Sequence, residues 1–299
     1  MISAVTMIWN SEGFAMLTDL VEVNTTDGLS LSGAYFTAQG ESKLGIDSLI
    51  YFHGDGGHFY GRLLLRLGQL FSAQGVAFLA ANRRGHDLVA TGARGGPLKG
   101  YAYESVVDSR IDYAAWLEFL RERGHSRIAI GGHSGGAVRA TYAQANEAYA
   151  NVSAVVSVSP GEYNHEAVIG VHSEDFLLPY QQAKTYISEG RPDAMLRPGV
   201  PWGSVWTASA FVDCFNEDNR YSVSSHAANT GVPTLYVFGG RESEIGGEEE
   251  LPVCGLAMRT LSRLSYPHTT VRVVEGANHG YVGREQELMK TIYEFFQNI

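Results

Sequence analysis

Apolar residues along most of this chain come in short unbroken runs. Ser48-Leu49-Ile50-Tyr51-Phe52, Val76-Ala77-Phe78-Leu79-Ala80, Arg127-Ile128-Ala129-Ile130-Gly131, Val152 to Val158 and Thr234 to Phe238 all have this form. Runs of that length, bounded by turn residues, predict strands buried on both faces. The intervening segments have helical spacing instead. Leu63, Leu64, Leu67, Leu70 and Phe71 predict a helix over Tyr60 to Gln74, closed by Gly75. Val107, Ile111, Ala115, Leu117, Phe119 and Leu120 predict another over Glu104 to Arg123, closed by Gly124. Near the N-terminus, Leu20 to Asn24 and Leu29 to Phe36 alternate as hairpin strands do, about the turn Thr26-Asp27-Gly28. Helices over Pro252 to Ser265 and Arg284 to Gln297, with a strand over Thr270 to Val274 between them, complete the pattern. Strands alternating with helices imply an α/β fold, with a mostly parallel central sheet and helices on both faces.

One stretch breaks this rhythm. From about Gly161 to Gly231 the chain is rich in aromatic residues and turn formers, among them Tyr163, Phe176, Tyr180, Trp202, Trp206, Phe211 and Phe215, with Pro179, Pro192, Pro198 and Pro201. A helix is expected from Asp175 to Glu189. We read residues 161–231 as a lid inserted into a core made of residues 1–160 and 232–299. Trp202, Trp206, Phe211 and Phe176 are its candidate pocket walls, because ligand pockets are mostly apolar.

Composition narrows the function more than the fold. The formal net charge is −10 and no basic run occurs, which argues against nucleic acid as a partner. Glu248-Glu249-Glu250 reads as a solvated acidic turn. No apolar run approaches the length of a membrane span, and the segment Met1 to Leu20 lacks the plan of a signal peptide. Cys214 and Cys254 are too few and too far apart for a disulfide framework. The expectation is a cytoplasmic protein with reduced thiols, acting on a small molecule and using no membrane.

The chemistry is concentrated after the strands. Gly132-His133-Ser134-Gly135-Gly136 follows one strand run and precedes the helix-like Ala137 to Ala143. Strand, Gly-x-Ser-x-Gly, helix is the context of a nucleophile elbow, in which a tight turn lifts the serine above the sheet. A serine hydroxyl keeps its proton at neutral pH, so it needs a base, and the base needs a carboxylate to orient it. In open parallel sheets the site lies beyond the carboxyl ends of the strands. Two later strand ends supply the residue types required. Gly239-Gly240-Arg241-Glu242 follows one, and Glu275-Gly276-Ala277-Asn278-His279-Gly280 follows another. For the acid, Glu244, Asp213 and Asp218 stand as alternatives to Glu242.

These pieces, with the strand ending in His53-Gly54, resemble the α/β-hydrolase superfamily along nearly the whole chain outside the lid. The resemblance implies Ser134 as nucleophile, His279 as general base and then acid, and an acid after the penultimate strand, here Glu242. It also implies an oxyanion hole from the backbone of Gly135 and of the loop after His53-Gly54, most simply Asp55, with Gly56 as the fallback. The expected activity is that of a serine hydrolase of the esterase type, cleaving an ester, thioester or amide through an acyl-enzyme. A lyase, an acyltransferase or a small-molecule binding protein on the same fold is the alternative.

Asp55 departs from the apolar or glycine residues frequent at its place. Its carboxylate would repel an oxyanion unless it is paired, for instance by Arg83 or Arg84, or unless it meets a cationic or hydroxylated substrate. Arg84-Gly85-His86-Asp87 reads as a turn supporting this loop, and Gly92-Ala93-Arg94-Gly95-Gly96 as a loop without the setting of a phosphate site. His53, Asp55 and His58 match no metal-ligand spacing. No metal and no organic cofactor is implied.

Overall fold

Strand β4 (Ser48–Phe52) shows how the central sheet is held. In the computed structural model, which describes residues 4–9, 14–91, 96–199 and 201–299, all five of its residues are buried. Leu49 and Tyr51 pack into one apolar cluster while Ile50 and Phe52 pack into another on the opposite face. An unbroken apolar run is the result of burying both faces of one strand.

The chain runs through β1 (Ala4–Trp9), β2 (Phe14–Asn24), β3 (Ser30–Phe36), β4, α1 (Arg62–Ser72) and β5 (Ala77–Ala81). A short hairpin of β6 (Ala90–Thr91) and β7 (Leu98–Lys99) precedes α2 (Ser109–Glu122), β8 (Ile128–His133), α3 (Gly135–Glu147) and β9 (Val152–Val158). Then come α4 (His165–His172), α5 (Glu174–Ser188), α6 (Ala208–Cys214) and α7 (Val223–His226). The last part is β10 (Thr234–Gly239), α8 (Gly240–Ser243), α9 (Pro252–Arg263), β11 (Thr269–Val274) and α10 (Glu285–Phe296).

Among the described residues, nine strands form the main sheet in the order β1-β2-β3-β5-β4-β8-β9-β10-β11. From β5 to β11 all neighbours are parallel, and β1, β2 and β3 join antiparallel at one edge. Leucines of α1 and the Leu288-Ile292-Phe296 stripe of α10 cover one face. Tyr113, Trp116 and Leu120 of α2, with Ala140 and Ala143 of α3, cover the other. The α/β architecture with helices on both faces is the one expected.

Two details differ from the expectation. Strand β2 begins at Phe14, well before Leu20, and pairs with an edge strand, β1, that the alternation does not announce. The helix expected from Glu104 begins only at Ser109, after a 3-10 turn over Val106–Asp108. Glu104 is withheld from it because its carboxylate is buried in ion pairs with Arg83 and Arg139. The loop expected at Gly92 to Gly95 lies outside the described residues.

Between β9 and β10 the helices α4 to α7 pack around an aromatic cluster of Phe176, Tyr180, Trp206, Phe211 and Phe215. The helix expected over Asp175 to Glu189 is α5. Asn164 and Thr207 cap α4 and α6, each side chain accepting a bond from a first-turn amide.

Candidate active site

Ser134 sits between β8 and α3 at φ 55 and ψ −123, a left-handed conformation that costs a non-glycine residue roughly 1–3 kcal/mol. Hydrogen bonds on both sides hold it there. Its amide donates to the Val158 carbonyl (2.8 Å), and its carbonyl accepts from the Ala137 amide (2.9 Å). The turn is tight enough that a Cβ on Gly132 would lie 2.5 Å from the Gly136 carbonyl oxygen. The glycines of the motif are thus a steric requirement of the turn.

His279 lies in the loop after β11 and Glu242 in α8, directly after β10. Parallel pairing of β10 with β11 brings the two loops together. His279 Nδ1 lies 2.5 Å from Glu242 Oε2. A carboxylate only accepts, so Nδ1 carries the hydrogen and Nε2 is left free to take a proton. The other oxygen, Oε1, accepts from Ser159 Oγ (2.5 Å) and from the Gly239 amide (2.6 Å). Tyr281 OH, 3.0 Å away, completes the chain by donating to Ser159 Oγ. Glu242 is fully buried, and burial alone would push its carboxyl up. The bonds from His279, Ser159 and Gly239 outweigh that, and hold it below the usual carboxylate range.

Ser159 (φ 51) and Tyr281 (φ 53) are also left-handed, so three of the strained non-glycine residues surround this site. Among the alternative acids, Glu244 and Asp218 are exposed. Asp213 is bound to Ser105, Tyr221 and Arg220.

His133 adds a contact that the motif did not suggest. Its Nε2 lies 2.7 Å from the His279 carbonyl, which can only accept, so the ring donates there and tethers the base loop to the elbow. Desolvation, and then the neighbouring His279, push its pKa down to about 3, so the ring is neutral. His53 is likewise driven far below its ordinary value, by burial and by Arg83, and its Nδ1 donates to the Gly54 carbonyl (2.7 Å).

Asp55 stands against Gly135, the residue after Ser134. A Cβ on Gly135 would overlap its carboxylate, so the acid occupies the space that a side chain there would fill. Oδ1 accepts from Arg83 Nη2 (2.7 Å) and more distantly from Arg139 Nη1 (3.3 Å). Oδ2 accepts from Tyr163 OH (3.0 Å). Both arginines also bind Glu104 Oε2, and all of these charged side chains are almost wholly buried. Arg139 further donates to the Gly135 carbonyl (2.8 Å). Arg83 is therefore a partner of Asp55, whereas Arg84 is engaged elsewhere, with Asp112 and Asp27. The turn after Arg84 touches this loop through the Asp87 amide, which donates to the Gly57 carbonyl (2.9 Å). Among the described residues, no acceptor is found for the amides of Asp55 and Gly135.

Arg139, Glu104, Tyr163, Ser159 and His133 have no site role in the reading of the sequence. Only Arg139 carried a signal, as a lone charge on the apolar Ala137-Val138-Arg139-Ala140 stretch of a helix.

Ser134, His279, His133, Asp55 and His53 all line one cavity of about 600 Å3. Leu63, Leu64, Leu251, Val253 and Cys254 supply its apolar walls, and Tyr163 and Trp202 an aromatic one. The last two rings are stacked, with centroids 5.5 Å apart, and Trp202 Nε1 donates to Tyr101 OH (2.9 Å). Of the four aromatics expected as walls, Trp202 lines the cavity. Trp206, Phe211 and Phe176 pack in the aromatic cluster of the inserted helices, because their neighbours there leave them almost no exposure.

Glu242, Cys254 and His279 bring donor atoms within 4.8 Å of one another, close enough for a metal ion. They fit one poorly. Burial pushes the Cys254 thiol up, so it keeps its proton, and His279 Nδ1 is committed to Glu242.

No family model matches the chain, and no curated protein matches it. Solved structures do. The α/β hydrolase GrgF from Penicillium sp. sh18 superposes with a TM-score of 0.68 at 14% identity, over 95% of this chain and 99% of that one. The monoacylglycerol lipase of Paleococcus ferrophilus gives 0.62 at 18%, over 90% and 98%. Alpha/beta hydrolase domain-containing protein 10 from mouse gives 0.62 at 15%, over 92% and 97%. The chain has the α/β-hydrolase fold.

Proposed function

We propose that the chain is a serine hydrolase that cleaves carboxylic esters of small molecules. The observation that carries this reading is the His279–Glu242 hydrogen bond, with the free face of the imidazole in a cavity that Ser134 also lines. Ser134 Oγ attacks the carbonyl carbon as its proton passes to His279 Nε2. Glu242, kept ionised by its three donors, stabilises the imidazolium. The carbonyl oxygen becomes an oxyanion beside the free amides of Gly135 and Asp55. Collapse expels the alcohol, which leaves with the proton from His279, and the acyl group remains on Ser134 Oγ. Water then gives its proton to His279 and its oxygen to the acyl carbon, releasing the acid and restoring the serine. The residues named here suffice, without metal or organic cofactor.

Residues 161–231 act as the lid, contributing Tyr163, Trp202 and Ser204 to the cavity, with Trp206 against Trp202, Phe211 behind Trp206 and Phe176 behind Phe211. Among the structural neighbours, Pf2001 of Pyrococcus furiosus is named an esterase and the Paleococcus protein a monoacylglycerol lipase, which supports the choice of bond. A cytoplasmic setting agrees with two buried free thiols, Cys214 and Cys254. No helix among the described residues is long and apolar enough to cross a membrane.

A fluorophosphonate probe tests the reading. It should label Ser134 in the folded protein and fail on Ser134→Ala. Turnover of a short-chain chromogenic ester should fall by at least about 10⁴-fold in the same variant. Absence of label on folded wild-type protein would sink the proposal.

A further inference from the structure

Asp55 is not needed for the steps above, which use only its backbone, and a carboxylate there works against an oxyanion. Glycine or an apolar residue would present the same amide. Keeping the acid requires three further buried charges, Arg83, Arg139 and Glu104, each carrying a desolvation cost. An arrangement so costly points to a use for the side chain.

The two carboxylate oxygens differ. Oδ1 is taken by both arginines, while Oδ2 accepts one bond, from Tyr163, although a carboxylate oxygen has room for two. The arginines and Glu104 occupy the buried side, whereas Asp55 and Tyr163 line the cavity. The vacant acceptor position therefore belongs to the cavity side. Gly135 stands against both oxygens of Asp55, nearer Oδ1 than Oδ2, so the carboxylate is next to where the scissile carbonyl would be held. A donor one or two carbons along the acyl chain would reach it. Two arginines and two carboxylates cancel in charge, so the position holds no surplus attraction for a cation. A neutral donor suits it better than an ammonium.

We infer that the cavity selects acyl groups bearing a hydroxyl on the first or second carbon from the ester carbonyl, with Asp55 Oδ2 accepting the hydroxyl hydrogen. This rests on the ester-hydrolase reading for the identity of the substrate, but it is tested by binding. The 2-naphthyl esters of butanoic, 3-hydroxybutanoic and 3-methoxybutanoic acid, with the 2-hydroxybutanoate for the nearer position, are titrated against Ser134→Ala, which cannot cleave them. A hydrogen bond to a charged acceptor is worth roughly 10- to 100-fold in affinity. The better hydroxy ester should exceed the butanoate by that factor, and the methoxy ester, which can only accept, should fall below it.

In Ser134→Ala/Asp55→Asn the two arginines hold the amide oxygen at the Oδ1 place. The amide NH₂ then replaces Oδ2, so the hydroxy and methoxy esters should bind alike. Binding of both hydroxy esters within twofold of the butanoate overturns the inference, and this comparison needs no change at Asp55. Retention of the hydroxy ester's advantage over the methoxy ester by the folded double variant overturns it as well. Turnover by the wild type without the preference removes this inference and leaves the hydrolase. The preference without turnover or labelling removes the hydrolase and leaves the recognition site.

Discussion

Two buried polar assemblies flank Ser134, and they are built on opposite plans. On the His279 side, one carboxylate is surrounded by neutral donors: the imidazole, Ser159 Oγ and the Gly239 amide. On the Asp55 side, two carboxylates face two guanidinium groups in one closed set. The first assembly can gain and lose a proton, because its outermost member is a histidine. The second has arginines that stay charged at any working pH, and its charges are fixed in place. The difference teaches that one site needs both a movable charge and a static one. In the proposed reaction the movable charge serves the serine, and the static set holds the backbone beside the place where negative charge would develop.

The largest effect should come from the movable side. Glu242→Gln keeps the shape but presents His279 with an amide whose donor favours the wrong tautomer. A fall of about 10⁴-fold in kcat is expected, measured with a chromogenic ester, by analogy with the same change in a serine protease triad. A fall below tenfold would mean that Glu242 does not set the tautomer.

The static side should respond in stability first. Glu104→Gln leaves two buried arginines with one carboxylate and should cost about 3–5 kcal/mol in urea unfolding. Adding Arg139→Met removes the unpaired cation and leaves the balanced Arg83–Asp55 pair. Most of the loss should return in the double variant. If it does not, charge balance is not what the set provides.

Acid should separate the two sides further. His133 and His53 are neutral in the fold, the first down to about pH 3, while in the unfolded chain they take a proton below their ordinary value of 6.5. The unfolded state then binds more protons, so stability rises with pH in this window and is lost on acidification below about 6.5. The slope is at most about 1.4 kcal/mol per pH unit for each histidine. Glu242, held low in the fold, adds stability above its ordinary range that disappears as pH falls through its lowered value. In His133→Gln, whose amide can still donate to the His279 carbonyl, the slope between pH 6.5 and 5 should drop by up to about 1.4 kcal/mol per pH unit. Chemical unfolding at a series of pH values measures it.

The smallest effect is expected from Tyr281→Phe. It removes one donor from Ser159 without touching Glu242, and should cost about 1 kcal/mol of stability and less than tenfold in kcat/KM. A larger kinetic loss would place Tyr281 closer to the chemistry than its distance suggests.

Much of the scaffold was readable because its signals are local. The buried runs at Leu49-Ile50 and Val155-Val156 mark strands covered on both faces, and the Gly132 to Gly136 turn announces itself by its flanks. Glu242 and His279 were legible as residue types after successive strands. Their meeting follows from the parallel register of β10 and β11. Glu104 was misread as a helix start, because a charge after a loop is ordinarily solvated and only distant partners made it a buried ion. Trp206, Phe211 and Phe176 were indistinguishable in sequence from Trp202. Which aromatic faces a cavity depends on how α5 and α6 pack.

The sequence by itself therefore determined the order of strands and helices in the parallel part of the sheet, the tight serine turn, and the types of side chain placed at the strand ends. Each of these depends on neighbours a few residues apart, where steric limits and hydrophobic period act directly. The tertiary structure decided which charges lie buried together, which oxygen of Asp55 stays open, and which aromatic wall meets the cavity. Those outcomes depend on groups brought together from distant parts of the chain, and their energies exist only once water has been excluded between them.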